Sequence, residues 1–298
     1  MNDKFIRKHI QTIRPYEPVV PLDVLSEQLA IPIEQLVKID ANENPYGLPP
    51  SAKARLGQLD YGHIYPDPES RRLRTALSKY LAVPYENVLA GAGADELIDL
   101  IVRLSFNPGD AIINCPPTFG FYSTVAQIHD LRVINIPREV DFSIDLAGIR
   151  SAVSEGAIGI FLANPNNPDG SLIPIETIQA IIDLPLLVVI DEAYIEFAPS
   201  NSSLKQLVVE RNNLIVLRTF SKWGGLAGLR LGYGIFPKTY LAQLMKIKQP
   251  YNVTLASQEA GLGALADVDL LNQRLQKIHE ERSRLITALE SISWLQPY

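Results

Sequence analysis

The chain has 298 residues, of which 47% are hydrophobic and 20% are charged, so it has the composition of a globular protein with a large core. Its formal net charge of −6 excludes a broad basic surface, and we expect no nucleic-acid partner. No apolar run approaches the ~20 residues that span a bilayer, and no apolar signal core follows the first residues. The sole cysteine, Cys115, and four scattered histidines predict neither an internal disulfide nor a metal site, and we expect a cytoplasmic location.

The first 86 residues show a mixed pattern. Residues 1–21 include the run Arg14-Pro15-Tyr16-Glu17-Pro18 and indicate an extended arm. A cluster of turn-forming residues at 40–47 predicts an irregular loop. The remaining predictions are helices at 22–29, 51–59 and 69–82 and a short strand at 36–39.

From residue 87 onward, strand, loop and helix alternate. The predicted strands are the apolar runs at 87–90, 111–114, 131–136, 158–162, 186–190 and 214–217. The predicted helices lie at 96–105, after 116–120 as far as about 129, at 146–153 and at 174–182, and the chain is helical beyond 250, notably at 269–291. Continuous apolar strands that alternate with helices indicate a mainly parallel sheet covered on both faces, which is a three-layer α/β fold.

The most informative stretch covers residues 217–230. Lys222 follows Ser221 in a glycine-rich loop directly after a predicted strand, and Arg230 lies eight residues further on. In a poorly solvated cleft the pKa of a lysine falls, so its amine can attack a carbonyl and form a Schiff base. The hydroxyls of Thr219 and Ser221 together with the guanidinium of Arg230 could hold a phosphate. The alternative is an ordinary surface lysine.

Two further segments at predicted strand ends carry polar groups, and ligands of such sheets bind at these ends. The segment 91–96 opens a helix, so the backbone N–H groups around Ala94 and Asp95 form either an anion site or only a tight turn. Asp191 ends an apolar strand and needs a cationic partner, such as a protonated heteroaromatic nitrogen, unless it caps a helix.

Three more side chains are suited to binding a planar ring. Tyr194 follows Asp191 by three residues and could donate a hydrogen bond to a ring oxygen. Asn167 stands among three prolines that fix its backbone, so its amide can be aimed at a ligand, although the segment is equally compatible with a turn. Phe119 follows two prolines and could stack on a planar ligand, or pack in the core.

Together these residues offer an amine, a phosphate clamp, an anion for a ring nitrogen, donors for a ring oxygen and a stacking face. That set matches one cofactor, pyridoxal 5′-phosphate. The chain resembles the fold-type I pyridoxal-phosphate enzymes of the class I/II aminotransferase group, and within it the histidinol-phosphate aminotransferases most. The motifs that carry the resemblance are Asn42-Glu43-Asn44-Pro45, Gly93-Ala94-Asp95-Glu96, Pro116-Pro117-Thr118-Phe119-Gly120, Asn164-Pro165-Asn166-Asn167-Pro168, the segment 191–197, Thr219-Phe220-Ser221-Lys222 and Ala227-Gly228-Leu229-Arg230.

The resemblance implies a role for each candidate residue. Lys222 would form the Schiff base and then move the proton at the substrate Cα, while Asp191 would keep the ring nitrogen protonated. Asn167 and Tyr194 would bind the ring oxygen, and Phe119 would stack on the ring. The residues expected around the phosphate are Ala94, Asp95, Thr219, Ser221 and Arg230, joined by Tyr65 across the interface of a homodimer with shared active sites.

The resemblance also implies transamination between a small amino donor and a 2-oxo acid, with histidinol phosphate and 2-oxoglutarate as the expected pair. Decarboxylation of a phosphorylated amino acid such as threonine phosphate, transamination of aromatic or other amino acids, and an inactive cofactor-binding fragment are the alternatives. The expected domains are an arm with part of a small domain at 1–45, a large cofactor-binding domain at 46–250, and a linking helix with the start of the small domain at 251–298.

Two features depart from the pattern of the family. Asp169 stands where many relatives have threonine, just beyond Asn167. The sequence stops at Tyr298, whereas relatives continue through the rest of a small domain that carries an arginine for the substrate carboxylate. We therefore expect a C-terminally truncated second domain, an uncovered apolar face on the helix at 269–291, and a carboxylate that is bound by other means or not at all.

Overall fold

Seven strands form one sheet in the part of the chain that the structure, a computed structural model, describes, which is residues 3–297. Residues 1, 2 and 298, which belong to the predicted arm and the predicted C-terminal segment, lie outside it. The strands are β1 Val88–Gly91, β2 Ala111–Asn114, β3 Arg132–Asn135, β4 Ala157–Ala163, β5 Leu187–Asp191, β6 Leu214–Thr219 and β7 Gly232–Ile235. Their order is β1-β7-β6-β5-β4-β2-β3, and only β7 runs antiparallel to its neighbours within this described sheet.

Residues 3–297 also contain eleven α-helices. They are α1 Leu22–Leu29, α2 Pro50–Gly57, α3 Arg71–Leu81, α4 Ala94–Ser105, α5 Phe121–Ile128, α6 Leu146–Ser154, α7 Ile175–Ile182, α8 Leu207–Glu210, α9 Lys238–Ile247, α10 Leu255–Ala266 and α11 Val268–Glu290. None of these helices is long and apolar enough to cross a bilayer. The described residues also contain no group of three His, Cys, Asp or Glu side chains that could hold a metal ion.

The sheet separates two hydrophobic cores because successive side chains of a strand point to opposite faces. On one face, strand residues such as Val188 and Val216 pack with helices α3, α6, α7 and α10. On the other face, residues such as Val189 and Leu217 pack with helices α4, α5 and α9. Both faces of the inner strands are therefore buried, as the continuous apolar runs predicted, whereas Arg132 and Asn135 of the edge strand β3 are exposed. The three-layer α/β fold is confirmed.

The parallel strands place their carboxyl ends side by side. Ala163 at the end of β4 is in register with Asp191 at the end of β5, and Asp191 is in register with Leu217 in β6. The two residues that follow β5 and β6 are Glu192 and Phe220, so the segments 191–194 and 219–222 leave the sheet at one edge. The fold thus brings the candidate residues of both segments to the same place.

The sequence interpretation was wrong about one element and missed three. Residues 36–39 do not form a strand: Val37 and Ile39 are 88% and 86% exposed, and the segment pairs with no strand within residues 3–297. The antiparallel strand β7 and the helices α8 and α9 were not predicted. The predicted division into three domain segments is not tested by these elements and stays a prediction.

Candidate active site

A cavity of about 490 Å³ lies at the carboxyl ends of β4, β5 and β6. It is the place where the separated candidate segments of the sequence meet. Ten of the predicted site residues line it: Ala94, Asp95, Phe119, Asn167, Asp191, Tyr194, Thr219, Ser221, Lys222 and Arg230. The loop at 40–43 and three residues of the N-terminal segment, Tyr16, Pro18 and Val19, also contribute to the wall.

Lys222 is held between its own loop and the loop at 40–44. Its Nζ donates a hydrogen bond of 3.0 Å to the carbonyl oxygen of Ala41. The side-chain amide of Asn44 donates bonds of 3.0 Å to the carbonyl oxygens of Lys222 and Trp223, which fixes the backbone that carries the amine. Burial lowers the pKa of the Lys222 ammonium from its usual value, although Glu43 opposes the shift. The amine is therefore more available as a nucleophile than that of an exposed lysine.

Asp191 is buried at the end of β5, opposite an aromatic donor that the sequence did not reveal. The Tyr122 hydroxyl donates a hydrogen bond of 2.7 Å to Oδ2 of Asp191, and the Ala193 backbone N–H donates one of 3.0 Å to Oδ1. Burial raises the pKa of the Asp191 carboxyl to about 6, against the opposite effect of these two donors. A cation at this position would gain a buried counter-ion.

Replacing Tyr122 with phenylalanine should shift the titration of Asp191. The Tyr122 hydrogen bond lowers the pKa of Asp191, so its loss raises that pKa and widens the pH range in which the carboxyl is neutral. A ligand with a cationic ring nitrogen should therefore begin to bind weakly at a higher pH than in the wild type. Near pH 6 its affinity for the variant should be about tenfold lower than for the wild type. Fluorescence titrations of the wild type and Tyr122→Phe between pH 5 and 8 measure this shift. Identical pH profiles would show that Tyr122 does not act on Asp191.

An anion cradle is formed where β6, β7 and the start of α4 meet. The Thr219 hydroxyl donates to the Ser221 hydroxyl at 2.9 Å, and Arg230 holds its backbone in the left-handed region at φ 49°. A Cβ on Gly93 would lie 2.8 Å from Nη2 of Arg230, and a Cβ on Gly232 would collide with the backbone of Gly93 and Ala94. Gly93 therefore leaves the N-terminus of α4 open beside the guanidinium, and Gly232 lets β7 approach that terminus closely.

The remaining predicted residues form the walls of the cavity. The Asn42 side-chain amide donates a hydrogen bond of 3.1 Å to the Tyr194 hydroxyl, and burial raises the pKa of that hydroxyl. Phe119 packs edge-to-face on Tyr122, with ring centroids 5.4 Å apart. Asn167 is half-buried and lines the cavity. These side chains can enclose a flat ring between an aromatic face and polar edges.

A buried ion network lies behind Asp191 and Lys222, on the opposite face of the sheet. The Arg218 guanidinium donates to Glu192 at 2.9 Å, to the Ser203 hydroxyl at 2.7 Å and to Glu196 at 3.4 Å. Glu192 also accepts a hydrogen bond of 2.6 Å from the Leu204 backbone. The network links the end of β5 to the end of β6, and nothing in the sequence interpretation anticipated it.

Glu196 is the member of this network that should make stability depend on pH. Its Oε2 is buried without a hydrogen-bond partner, and burial raises the pKa of its carboxyl from 4.5 to about 7. Between these values the unfolded chain releases a proton that the folded chain keeps, so stability falls as pH rises. Glu196→Gln should remove this loss. The free energy of unfolding of the variant, relative to that of the wild type, should therefore increase by on the order of 3 kcal/mol from pH 4.5 to pH 8. Urea unfolding at both pH values measures it, and an equal difference at the two would contradict the assignment.

Tyr65 is the predicted site residue that the described chain does not bring to the cavity. Its side chain is 78% exposed and stacks on Tyr251, with ring centroids 4.5 Å apart. It is absent from the residues that line the cavity. The predicted role of Tyr65 required a second copy of the chain, so this placement neither supports nor contradicts it.

Comparison with known proteins gives a consistent family. Residues 34–297 match the family described as "Aminotransferase class I and II". The histidinol-phosphate aminotransferase of Nicotiana tabacum, named chloroplastic, is 49% identical over 297 residues, which are 99% of this chain and 72% of the relative. The chain belongs to the class I and II aminotransferase family, among the histidinol-phosphate aminotransferases.

Further relatives of this aminotransferase agree. The histidinol-phosphate aminotransferase of Roseiflexus castenholzii is 46% identical over 299 residues, covering 98% of this chain and 80% of the relative. The crystal structure of the Sinorhizobium meliloti histidinol-phosphate aminotransferase in complex with pyridoxal-5′-phosphate superposes with a TM-score of 0.86 at 30% identity. That match covers 97% of this chain and 78% of the other.

Proposed function

We propose that this aminotransferase uses pyridoxal 5′-phosphate to transfer an amino group from L-histidinol phosphate to 2-oxoglutarate, giving imidazole-acetol phosphate and glutamate, a step of histidine biosynthesis. The observation that carries the proposal is the convergence of Lys222, Asp191 and Arg230 on one cavity. It occurs in a chain 49% identical to a histidinol-phosphate aminotransferase.

The residues present fit the proposed cofactor. Asp191 is a buried carboxylate with no cation bonded to it in the described chain, which suits a protonated pyridine nitrogen. The missing side chain at Gly93 leaves room beside Arg230 for a phosphate, and Gly232 lets β7 pack directly against the start of α4. Lys222 offers a half-buried amine to an aldehyde, and Phe119, Asn167 and Tyr194 would enclose the ring.

When bound, pyridoxal 5′-phosphate supplies an aldehyde that exchanges amino groups and a ring that accepts electrons. The protein supplies the proton transfers and the electrostatics. Nζ of Lys222 would take the proton from the substrate Cα and deliver it to the carbon that comes from the cofactor aldehyde. Burial lowers the pKa of Lys222, which makes the free amine more available as a base. The Asp191 carboxylate stabilises positive charge at the ring nitrogen, and Asn42 holds the Tyr194 hydroxyl in place at the cavity wall.

Two measurements test the proposal. The chain is loaded with pyridoxal 5′-phosphate, reduced with borohydride and digested, and mass mapping should find the adduct on Lys222. In a separate, unreduced sample, transamination is measured with imidazole-acetol phosphate and glutamate, and compared with phenylpyruvate and oxaloacetate as acceptors. An adduct at another lysine would contradict the assignment of the amine. Equal rates with all acceptors, carbon dioxide release without keto-acid consumption, or a labelled protein without turnover would favour the broader transaminase, the decarboxylase or the inactive fragment.

We further propose that the chain forms a homodimer through the surface that carries Tyr65. Ile64 and Tyr65 are 57% and 78% exposed. Tyr61, which is close in the sequence, is 43% exposed, and Tyr251, which stacks on Tyr65, is 45% exposed. Exposed apolar clusters of this kind mark contact surfaces. Sedimentation equilibrium should give twice the chain mass of 33.0 kDa, and a monomer at all concentrations would contradict the proposal.

The cytoplasmic location stays a prediction, and the plant relatives are named chloroplastic.

A further inference from the structure

The anion cradle of the active site contains a carboxylate of its own. Oδ2 of Asp95 lies 2.5 Å from Nη2 of Arg230, so the guanidinium that faces the cradle already has an anionic partner. Asp95 is the second residue of α4, and its side chain therefore also lies at the positive end of that helix. The carboxylate stands where an incoming anion would bind.

The cavity that contains this ion pair is lined by more carboxylates than cations. The described side chains lining the cavity include four carboxylates, Asp40, Glu43, Asp95 and Asp191, against two cations, Lys222 and Arg230. Asp40 is paired outside the cavity with Lys38 at 2.7 Å, and Asp191 is buried deeper, beside Tyr122. Arg230 is consequently the main attraction for an anion at the start of α4, and Asp95 neutralises it.

We infer that Asp95 determines which anions enter the cradle, because its carboxylate competes with them for Arg230 and for the N-terminus of α4. The inference rests on the proposed function, in which the cradle holds the phosphate of the cofactor. A free anion such as inorganic phosphate must displace Asp95 with its own binding energy alone. A ligand that is also attached at Lys222 presents its phosphate at a high effective concentration and displaces Asp95 easily.

This competition has a use in the proposed reaction. The proposed substrate is itself a phosphate ester, so a cradle that bound any phosphate tightly would be blocked by the substrate and by inorganic phosphate. Discrimination against a ligand can be achieved by placing a repulsive charge at the site. Asp95 supplies that charge, while its ion pair keeps the Arg230 side chain beside the helix terminus in the absence of a ligand.

The first test measures inorganic phosphate binding by calorimetry to the chain freed of cofactor, for the wild type, Asp95→Asn and Asp99→Asn. The asparagine at 95 keeps an oxygen for Arg230 and removes the charge. Asp99 lies one turn further along α4, where it pairs with His129 at 2.7 Å and Arg103 at 3.7 Å, so it provides a matched loss of charge away from the cradle. We expect Asp95→Asn to bind phosphate about tenfold more tightly and Asp99→Asn to be unchanged. Unchanged or weaker binding by Asp95→Asn would overturn the inference.

The second test compares pyridoxal 5′-phosphate with pyridoxal, which lacks the phosphate, in the presence of added inorganic phosphate. With pyridoxal 5′-phosphate well below its dissociation constant, phosphate should inhibit cofactor loading of Asp95→Asn at about tenfold lower concentration than loading of the wild type, without affecting pyridoxal. Equal inhibition of both proteins would count against the inference. Asp95→Ser serves as a second variant should Asp95→Asn fold poorly. Phosphate binding needs no turnover, so a wild type without an adduct at Lys222 would refute the proposed function separately from this inference.

Discussion

Replacing Lys222 with arginine is expected to lower kcat of transamination by a factor of at least about 10⁴. Arginine keeps the positive charge and could still donate to the Ala41 carbonyl oxygen, which accepts from Lys222 at 3.0 Å. It stays protonated at all accessible pH values, however, and therefore provides neither a nucleophilic amine nor a base for the substrate Cα. The loss would thus come from chemistry and not from folding.

The control for this prediction is another lysine on the same chain. Lys246 in α9 is exposed and its Nζ contacts Gln243 at 2.6 Å, so Lys246→Arg should retain wild-type kcat. Thermal unfolding of both variants checks that neither loses its fold. Lys222→Ala with added small primary amines provides a second measurement, because a soluble base that enters the cavity should restore part of the proton transfer. Activity of Lys222→Arg above about 1% of the wild type would remove Lys222 from the reaction.

The site could be anticipated from the sequence because a parallel sheet collects its functional residues at one edge. Asp191 ends β5, and Lys222 follows the end of β6, so recognising two apolar strands was enough to bring their ends together. The glycines at 91–93 likewise marked the start of α4, where the anion cradle forms. In each case a local pattern was combined with a general rule about where loops of this fold converge.

The elements that sequence reasoning got wrong are those whose formation depends on a distant partner. Residues 36–39 are mainly apolar and include the β-branched Val37 and Ile39, as a strand often does, but no neighbouring strand supplies hydrogen bonds, and Val37 remains 88% exposed. Strand β7 contains Gly232 and Gly234, which weaken a strand pattern. Gly232 is needed there because a side chain would collide with the start of α4. The need for a glycine at 232 thus comes from a tertiary contact, which the sequence of β7 alone does not reveal.

The same reason explains the functional residues that were missed. Tyr122 is separated from Asp191 by 69 positions and lies in an apolar stretch of α5, where a tyrosine suggests only packing. The loop at 40–44 was recognised by its turn-forming residues, yet Asn44 contacts the backbone of Lys222 across 178 positions. Hydrogen-bond partners at such separations follow from the packing of the whole sheet. A signal was present only for Asn42 and Asn44, which belong to one of the motifs that carried the resemblance.

Replacing Asp191 with asparagine is the change with the second largest expected effect. The carboxylate is 5% exposed and would face the ring nitrogen of the bound cofactor, and removing one partner of a buried charge pair costs about 3–5 kcal/mol. A loss of that size in the transition state corresponds to a fall in kcat of about 10²–10⁴. The asparagine has nearly the same shape and still accepts from Tyr122, so the fold should be retained.

The pH dependence of cofactor binding gives this prediction a readout other than activity. With a pKa of about 6 before the cofactor binds, Asp191 takes up a proton as pH falls through that value, and a neutral carboxyl no longer attracts a cationic ring nitrogen. The affinity of the wild type for pyridoxal 5′-phosphate should therefore decrease below pH 6, whereas that of Asp191→Asn should lack this step. Asp183→Asn, which removes an exposed carboxylate paired with Arg211 at 3.2 Å, is the matched control and should behave as the wild type. A step that persists in Asp191→Asn would assign the titration to another group, because no carboxyl remains at that position to bind the proton.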